Sequence, residues 1–158
     1  SKKKYAFEVN LAKQLKEIQF KHLKLGKKSL PQIEIIQDKL NSMIPLYNAC
    51  NSLVSASSSE GFGLPLLEGL AANLIVIAPK ATGQKDFLNA KNSLLVDTTK
   101  IQAGKKYQYW KADPKAITYM PIKKELSIQM RNAFDNHQNL LNKLHNIHFL
   151  CLLFHKLK

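Results

Sequence analysis

Ser57-Ser58-Ser59-Glu60-Gly61-Phe62-Gly63-Leu64-Pro65-Leu66-Leu67-Glu68 sets two carboxylates with seven residues between them, on either side of a short glycine-bearing turn. Pro65 suits the start of a helix, where its missing N–H costs nothing. An apolar strand precedes the turn at Leu53 and Val54, and a second, Leu74 to Ala78, follows the helix. Strand, glycine-bearing loop, helix and strand in that order build ligand sites at the carboxyl ends of strands in open α/β sheets. The spacing therefore predicts that Glu60, from the loop, and Glu68, from the first helical turn, face one ligand.

Working outward, Leu66, Leu67, Leu70 and Ala71 give this helix its apolar face, and Asn73 can take the left-handed conformation that stops it. Leu74-Ile75-Val76-Ile77-Ala78 reads as a fully buried strand of a parallel sheet. On the N-terminal side, Ser42 to Cys50 reads as a short helix, Ile33 to Ile36 as a strand, and residues 5–24 as an amphipathic helix ended by Gly26. On the C-terminal side, Lys80 to Gln84 is a turn, Lys85 to Leu88 a single helical turn and Ser93 to Val96 a last strand. Residues 99–113 read as irregular surface. Asp113-Pro114 opens a helix that Pro121 interrupts. From Ile122 onward, Leu126, Met130, Phe134, Leu141, Leu144, Cys151 and Phe154 recur at helical spacing, apart from a gap at His137, and predict one long amphipathic helix.

The 158 residues suffice for one sizeable core, and a hydrophobic content of 45% marks a globular chain. The net charge of +13 suggests an anionic partner. Yet Arg131 is the one arginine among 24 basic residues, and arginine is the residue preferred for bidentate contacts to phosphate and base edges. Nucleic acid is therefore disfavoured against nucleotide phosphates or anionic lipid. Cys50 and Cys151 lack metal-ligand spacing and read as small buried hydrophobes in a reducing compartment. The histidines at 137, 145, 148 and 155 have no carboxylate or cysteine cluster beside them and predict no metal site. The apolar run Ile147 to Phe154 is shorter than the about 20 residues that span a bilayer. It reads as core, as a docking face for a partner or second copy, or as a peripheral membrane anchor. No signal peptide is expected, and a cytoplasmic location follows, with contact at the inner membrane surface as the variant.

Glu60-Gly-Phe-Gly-Leu-Pro-Leu-Leu-Glu68 resembles the E-x7-E motif and Gly-Phe-Gly loop of retaining GT-B glycosyltransferases of group 1, family 4. Leu46 to Cys50 resembles the helix before that motif, Glu68 to Ala78 the helix and strand after it, and Gly83, Asp86 and Asn92 to Val96 the closing turn and strand. The resemblance implies an α/β, Rossmann-like parallel sheet, the donor-binding C-terminal domain of the GT-B fold. It covers residues 32–100 of a single, partial domain spanning 1–158, with a helical segment at 114–156.

By resemblance, Glu60 holds hydroxyls of the donor sugar and is the residue assigned to catalysis. Gly61, Phe62, Gly63 and Leu64 form the donor-binding loop, with backbone amides turned to sugar and phosphates. Glu68 binds the ribose, Thr82 and Gly83 lie close to the donor, and Lys80 or Lys85 contacts phosphate. A nucleotide-diphospho-sugar is then the donor, a carbohydrate or lipid-linked molecule the acceptor, and neither a cofactor nor a metal is required. Asn73 and Ile75 replace a usual Gly and Pro, and Gln84 a usual second Gly near the donor. Residues 1–31 match neither the acceptor domain of that family nor its basic diphosphate-binding strand. The expectation is a chain that starts inside the donor domain, completed by an acceptor domain or a partner subunit. A non-catalytic nucleotide-sugar-binding subunit is the alternative, and a basic module for anionic membrane or nucleic acid the second.

Overall fold

The computed structural model describes residues 36, 40–104, 113 and 115–144. The chain divides into two units, 1–40 and 41–158. Of the first, Ile36 and Leu40 alone are described, and both are exposed. The helix expected at 5–24 and nearly all of the strand expected at 33–36 lie outside the described residues, as does the apolar run at 147–154.

In the second unit, helix α1 (Ile44–Asn48) leads into strand β1 (Ser52–Val54), helix α2 (Leu64–Ala71) and strand β2 (Ile75–Pro79). A 3-10 turn (Gly83–Asp86) then precedes strand β3 (Leu94–Val96). The three strands form one parallel sheet in the order β1-β2-β3, with Leu53 opposite Val76 and Ala78 opposite Leu95. This is the α/β, Rossmann-like arrangement that the residue order implies.

β2 is buried along its whole length. Its alternate residues point to opposite faces, as the twofold period of a strand requires. Val76 and Ala78 pack with Leu66 and Leu88 on one face, joined by Leu53, Leu70, Phe87 and Leu95. Ile75 and Ile77 pack with Val96, Ala133 and Leu140 on the other, joined by Leu94, Leu126, Leu141 and Leu144. A strand covered on both faces needs no polar alternation, which is why residues 74–78 read as a continuous apolar run.

α2 ends as its sequence predicts. Asn73 adopts φ 66°, its N–H bonds the Leu70 carbonyl at 3.0 Å, and the Leu74 N–H bonds the Gly69 carbonyl at 2.9 Å. These paired bonds are those of a Schellman termination, and they turn the chain directly into β2.

The C-terminal part departs from expectation. Residues 99–102 are strand rather than irregular, and Lys115 and Ala116, within the expected helix, are not helical. Strands β4 (Thr98–Gln102) and β5 (Ile117–Pro121) instead form an antiparallel pair, with Lys100 opposite Tyr119. Pro121 closes a strand rather than breaking a helix. The single long helix is also corrected. Helix α3 (Lys123–Asp135) stops at Asn136, and helix α4 (His137–Leu144) begins anew. Asn136 leaves helical geometry at φ −119°, ψ 24°, and its amide bonds the Asn132 side chain at 2.9 Å. Met130 and Phe134 do not join the core; Phe134 is 77% exposed, because the small Ala133 faces the sheet in its place. Cys50, expected to be buried, is exposed.

Candidate functional site

β1 and β2 are neighbours, so the loops leaving their carboxyl ends lie side by side. The first loop carries Glu60 and the second carries Lys80, Thr82 and Gly83. Two hydrogen bonds join them. The Glu60 N–H donates to Thr82 Oγ1 at 3.1 Å, and the Gly83 N–H donates to the Glu60 carbonyl at 3.1 Å. Glu60 is thus fixed through its backbone, and its carboxylate bonds to no described residue. The approach is close enough to require glycine at 83. A Cβ there would run into the Gly61 carbonyl and stand 3.0 Å from Phe62 Cα.

Thr82 holds φ 59°, ψ −155°, a backbone region that a β-branched residue rarely occupies. Such strain costs about 1–3 kcal/mol and gathers at functional sites. Its hydroxyl offsets part of that cost by bonding both the Glu60 N–H and Gln84 Oε1, the latter at 3.3 Å. Thr82, rather than Gln84, therefore stands at the position where the backbone favours glycine. Gln84 is buried for a different reason. Its amide donates to the Pro79 carbonyl at 2.9 Å and ties the turn to the end of β2.

Gly63 caps α2 in the left-handed region, φ 88°, where a side chain would be strained. Among the described residues, none accepts a hydrogen bond from the N–H groups of Gly61, Phe62, Gly63 or Leu64. These donors precede or open α2, where the helix dipole favours negative charge. Phe62 and Phe87 hold the loop's outer side, with ring centroids 5.2 Å apart.

Glu68 is the fifth residue of α2, so it projects from the second turn and not the first. It is exposed, but it is not alone. Tyr47 of α1 donates its hydroxyl to Glu68 Oε2 at 2.8 Å. Tyr47 is itself buried, 7% exposed. Burial, and then the hydrogen bond and negative charge of Glu68, push its hydroxyl up to about 12. Lys80 and Lys85 are both exposed, Lys80 directly after β2 and Lys85 within the 3-10 turn. Among the described residues no group of three or more His, Cys, Asp or Glu could hold a metal ion. No helix among them is long and apolar enough to cross a membrane.

The β4–β5 pair also reaches the site. Thr118 Oγ1 and the Tyr119 N–H both donate to the Ser58 carbonyl, at 2.9 and 3.0 Å. The serine run before Glu60 is therefore held by a second set of contacts, separate from those of Thr82 and Gly83. Residue pattern alone assigns no role to Tyr47, Ser58 or Thr118. A signal for Tyr47 existed: a buried tyrosine hydroxyl needs a partner, and Tyr47 is the single buried residue of α1. No comparable signal marks Thr118, whose partner lies 60 residues away.

Known proteins resemble this chain in sequence and fold. The family model described as "Glycosyl transferases group 1" matches residues 13–120. No curated protein matches the chain. Among solved structures, the fold is similar to the C-terminal domain of a glycosyl transferase group 1 family protein from Francisella tularensis. The TM-score is 0.55 at 24% identity, over 90% of this chain. The match extends over 62% of that domain's chain, so this chain spans less than two thirds of its length.

Proposed function

The chain belongs to the group 1 glycosyltransferases, and from that premise we propose that residues 60–68 bind a nucleotide-diphospho-sugar for retaining transfer of a hexose. The acceptor is a carbohydrate or lipid-linked molecule, presented by an acceptor domain or partner subunit. One observation carries this reading: two carboxylates flank four backbone N–H groups that no described residue engages, in a loop fixed to the neighbouring strand's end.

Each part suits one portion of such a donor. A sugar ring offers adjacent hydroxyls, and a carboxylate accepts hydrogen bonds from several of them. Glu60, held by its backbone with a carboxylate turned to no described partner, takes the sugar and is the catalytic candidate. The N–H groups of Gly61 to Leu64 take the diphosphate, whose charge grows as the sugar–phosphate bond breaks. Preorganised donors aimed at developing charge are each worth about 2.7–4 kcal/mol of barrier. Lys80 and Lys85 supply positive charge on the same side, and Glu68 receives the ribose hydroxyls. This donor chemistry is complete without a metal ion.

The test is a thermal-shift screen of the chain against UDP-, GDP-, ADP- and CMP-sugars, run on the wild type and on Glu68→Gln. A rise in melting temperature specific to one base, and lost in the variant, is expected. A rise that survives Glu68→Gln removes Glu68 from the site, and no rise with any donor overturns the reading.

A further inference from the structure

Glu68 is an exposed glutamate on a helix, and such a side chain ordinarily samples several rotamers. Here one oxygen is held at 2.8 Å by the hydroxyl of Tyr47, which comes from a different helix, 21 residues earlier. Resting on the donor-site reading above, we propose that Tyr47 is a positioning residue for nucleotide recognition. It fixes the Glu68 carboxylate plane so that the vicinal hydroxyls of a ribose meet acceptors already in place.

Geometry and chemistry both support the assignment. Each carboxylate oxygen carries two lone pairs, so Tyr47 occupies one of the four acceptor sites of Glu68 and leaves both oxygens able to accept. Its ring is buried in the domain and its hydroxyl cannot wander. Tyr47 therefore passes the rigidity of the fold to an otherwise mobile surface acid. Holding a binding group in its bound conformation improves affinity by removing the ordering cost at the moment of binding. The hydroxyl stays protonated, and so remains a donor, well above neutral pH.

A merely structural hydrogen bond between α1 and α2 would affect all ligands alike. A positioning bond acts through the ribose hydroxyls. The discriminating experiment is titration calorimetry with UDP, GDP and ADP and with their 2′,3′-dideoxy counterparts, on wild type, Tyr47→Phe and Glu68→Gln. Tyr47→Phe is expected to weaken the ribose-containing diphosphate roughly five- to tenfold, the scale of the net contribution of one ordinary hydrogen bond. The dideoxy form should shift less than about twofold, since it lacks the groups that Glu68 would meet. Equal weakening of both forms, or of neither, overturns the proposal. If Glu68→Gln leaves affinity untouched, the donor-site reading itself fails and Tyr47 loses its role with it.

Should Tyr47→Phe not fold, the wild type still decides. With 13Cζ-labelled tyrosine, the Tyr47 resonance is recognised by its displacement in Glu68→Gln. It should move on saturation with the diphosphate that binds most tightly, and not with its dideoxy form. A resonance that stays fixed in both counts against the proposal as firmly as uniform weakening would.

Discussion

The two sheets of this domain are held by the same backbone bonds and serve different ends. In the parallel sheet, β2 is buried at every residue and both its faces are covered by side chains from helices. In the antiparallel pair, β4 is exposed at four of its five positions, and Thr118 is the single fully buried residue of β5. The first sheet is stabilised by burial and sets where Glu60, Thr82 and Gly83 emerge. The second buries little and makes its contribution through two donors on the Ser58 carbonyl. The stability of the fold and the placement of its loop are thus assigned to different sheets, and substitutions can separate them.

The largest effect is expected in the core. Ile77→Ala removes a side chain that is 1% exposed and packed against Val96 and Ala133, and should cost about 2–5 kcal/mol. Ile101→Ala, the same change on β4 at a 39% exposed position, should stay within about 0.5 kcal/mol. Chemical denaturation of the pair measures the contrast. Similar losses in both would mean that the second sheet also carries the fold.

Gly83→Ala comes next, because it strikes where the loops from β1 and β2 meet. Its methyl has backbone on its nearest side, at Gly61 and Phe62, and backbone yields less readily than the tip of a side chain. Overpacking of this kind costs about 1–3 kcal/mol. The loop that gives way is the proposed diphosphate cradle, so affinity for the nucleotide should fall together with melting temperature. A destabilised variant of undiminished affinity would separate the close approach from the site.

The parallel half was legible in the sequence for a physical reason. A buried parallel strand writes itself as an apolar run, a left-handed helix stop as Asn73, and a close loop approach as Gly83. β4, Thr98-Thr99-Lys100-Ile101-Gln102, has no such mark, because an exposed ladder depends on main-chain bonds that any sequence can make. Pro121 misled because proline ends strands as well as helices. The break at Asn136 lay within an otherwise helical repeat, marked in the sequence only by the gap in apolar spacing at His137. At the site, the acids and glycines were readable from their spacing. Tyr47 acts through a tertiary contact, and Thr82 occupies a conformation that its residue type disfavours. The family resemblance accordingly places Thr82 near the donor but marks Gln84, and not Thr82, as the residue standing in for a glycine.

The smallest effect tests the link between the two sheets. Thr118→Val keeps the shape of a buried side chain and removes the hydroxyl that donates to Ser58. The Tyr119 N–H still bonds the same carbonyl, so that acceptor is not left without a partner. The loss should be that of one neutral hydrogen bond, about 0.5–1.5 kcal/mol, with nucleotide affinity nearly unchanged because Thr82 and Gly83 still hold Glu60. The double variant Thr118→Val, Thr82→Val removes one hydroxyl from each of the two sets of contacts. If both sets hold one loop, the two losses should be coupled by at least about 0.5 kcal/mol in a double-mutant cycle. Strict additivity would mean that Ser58 and Glu60 are held independently, and that the antiparallel pair braces its own neighbourhood without bearing on the site.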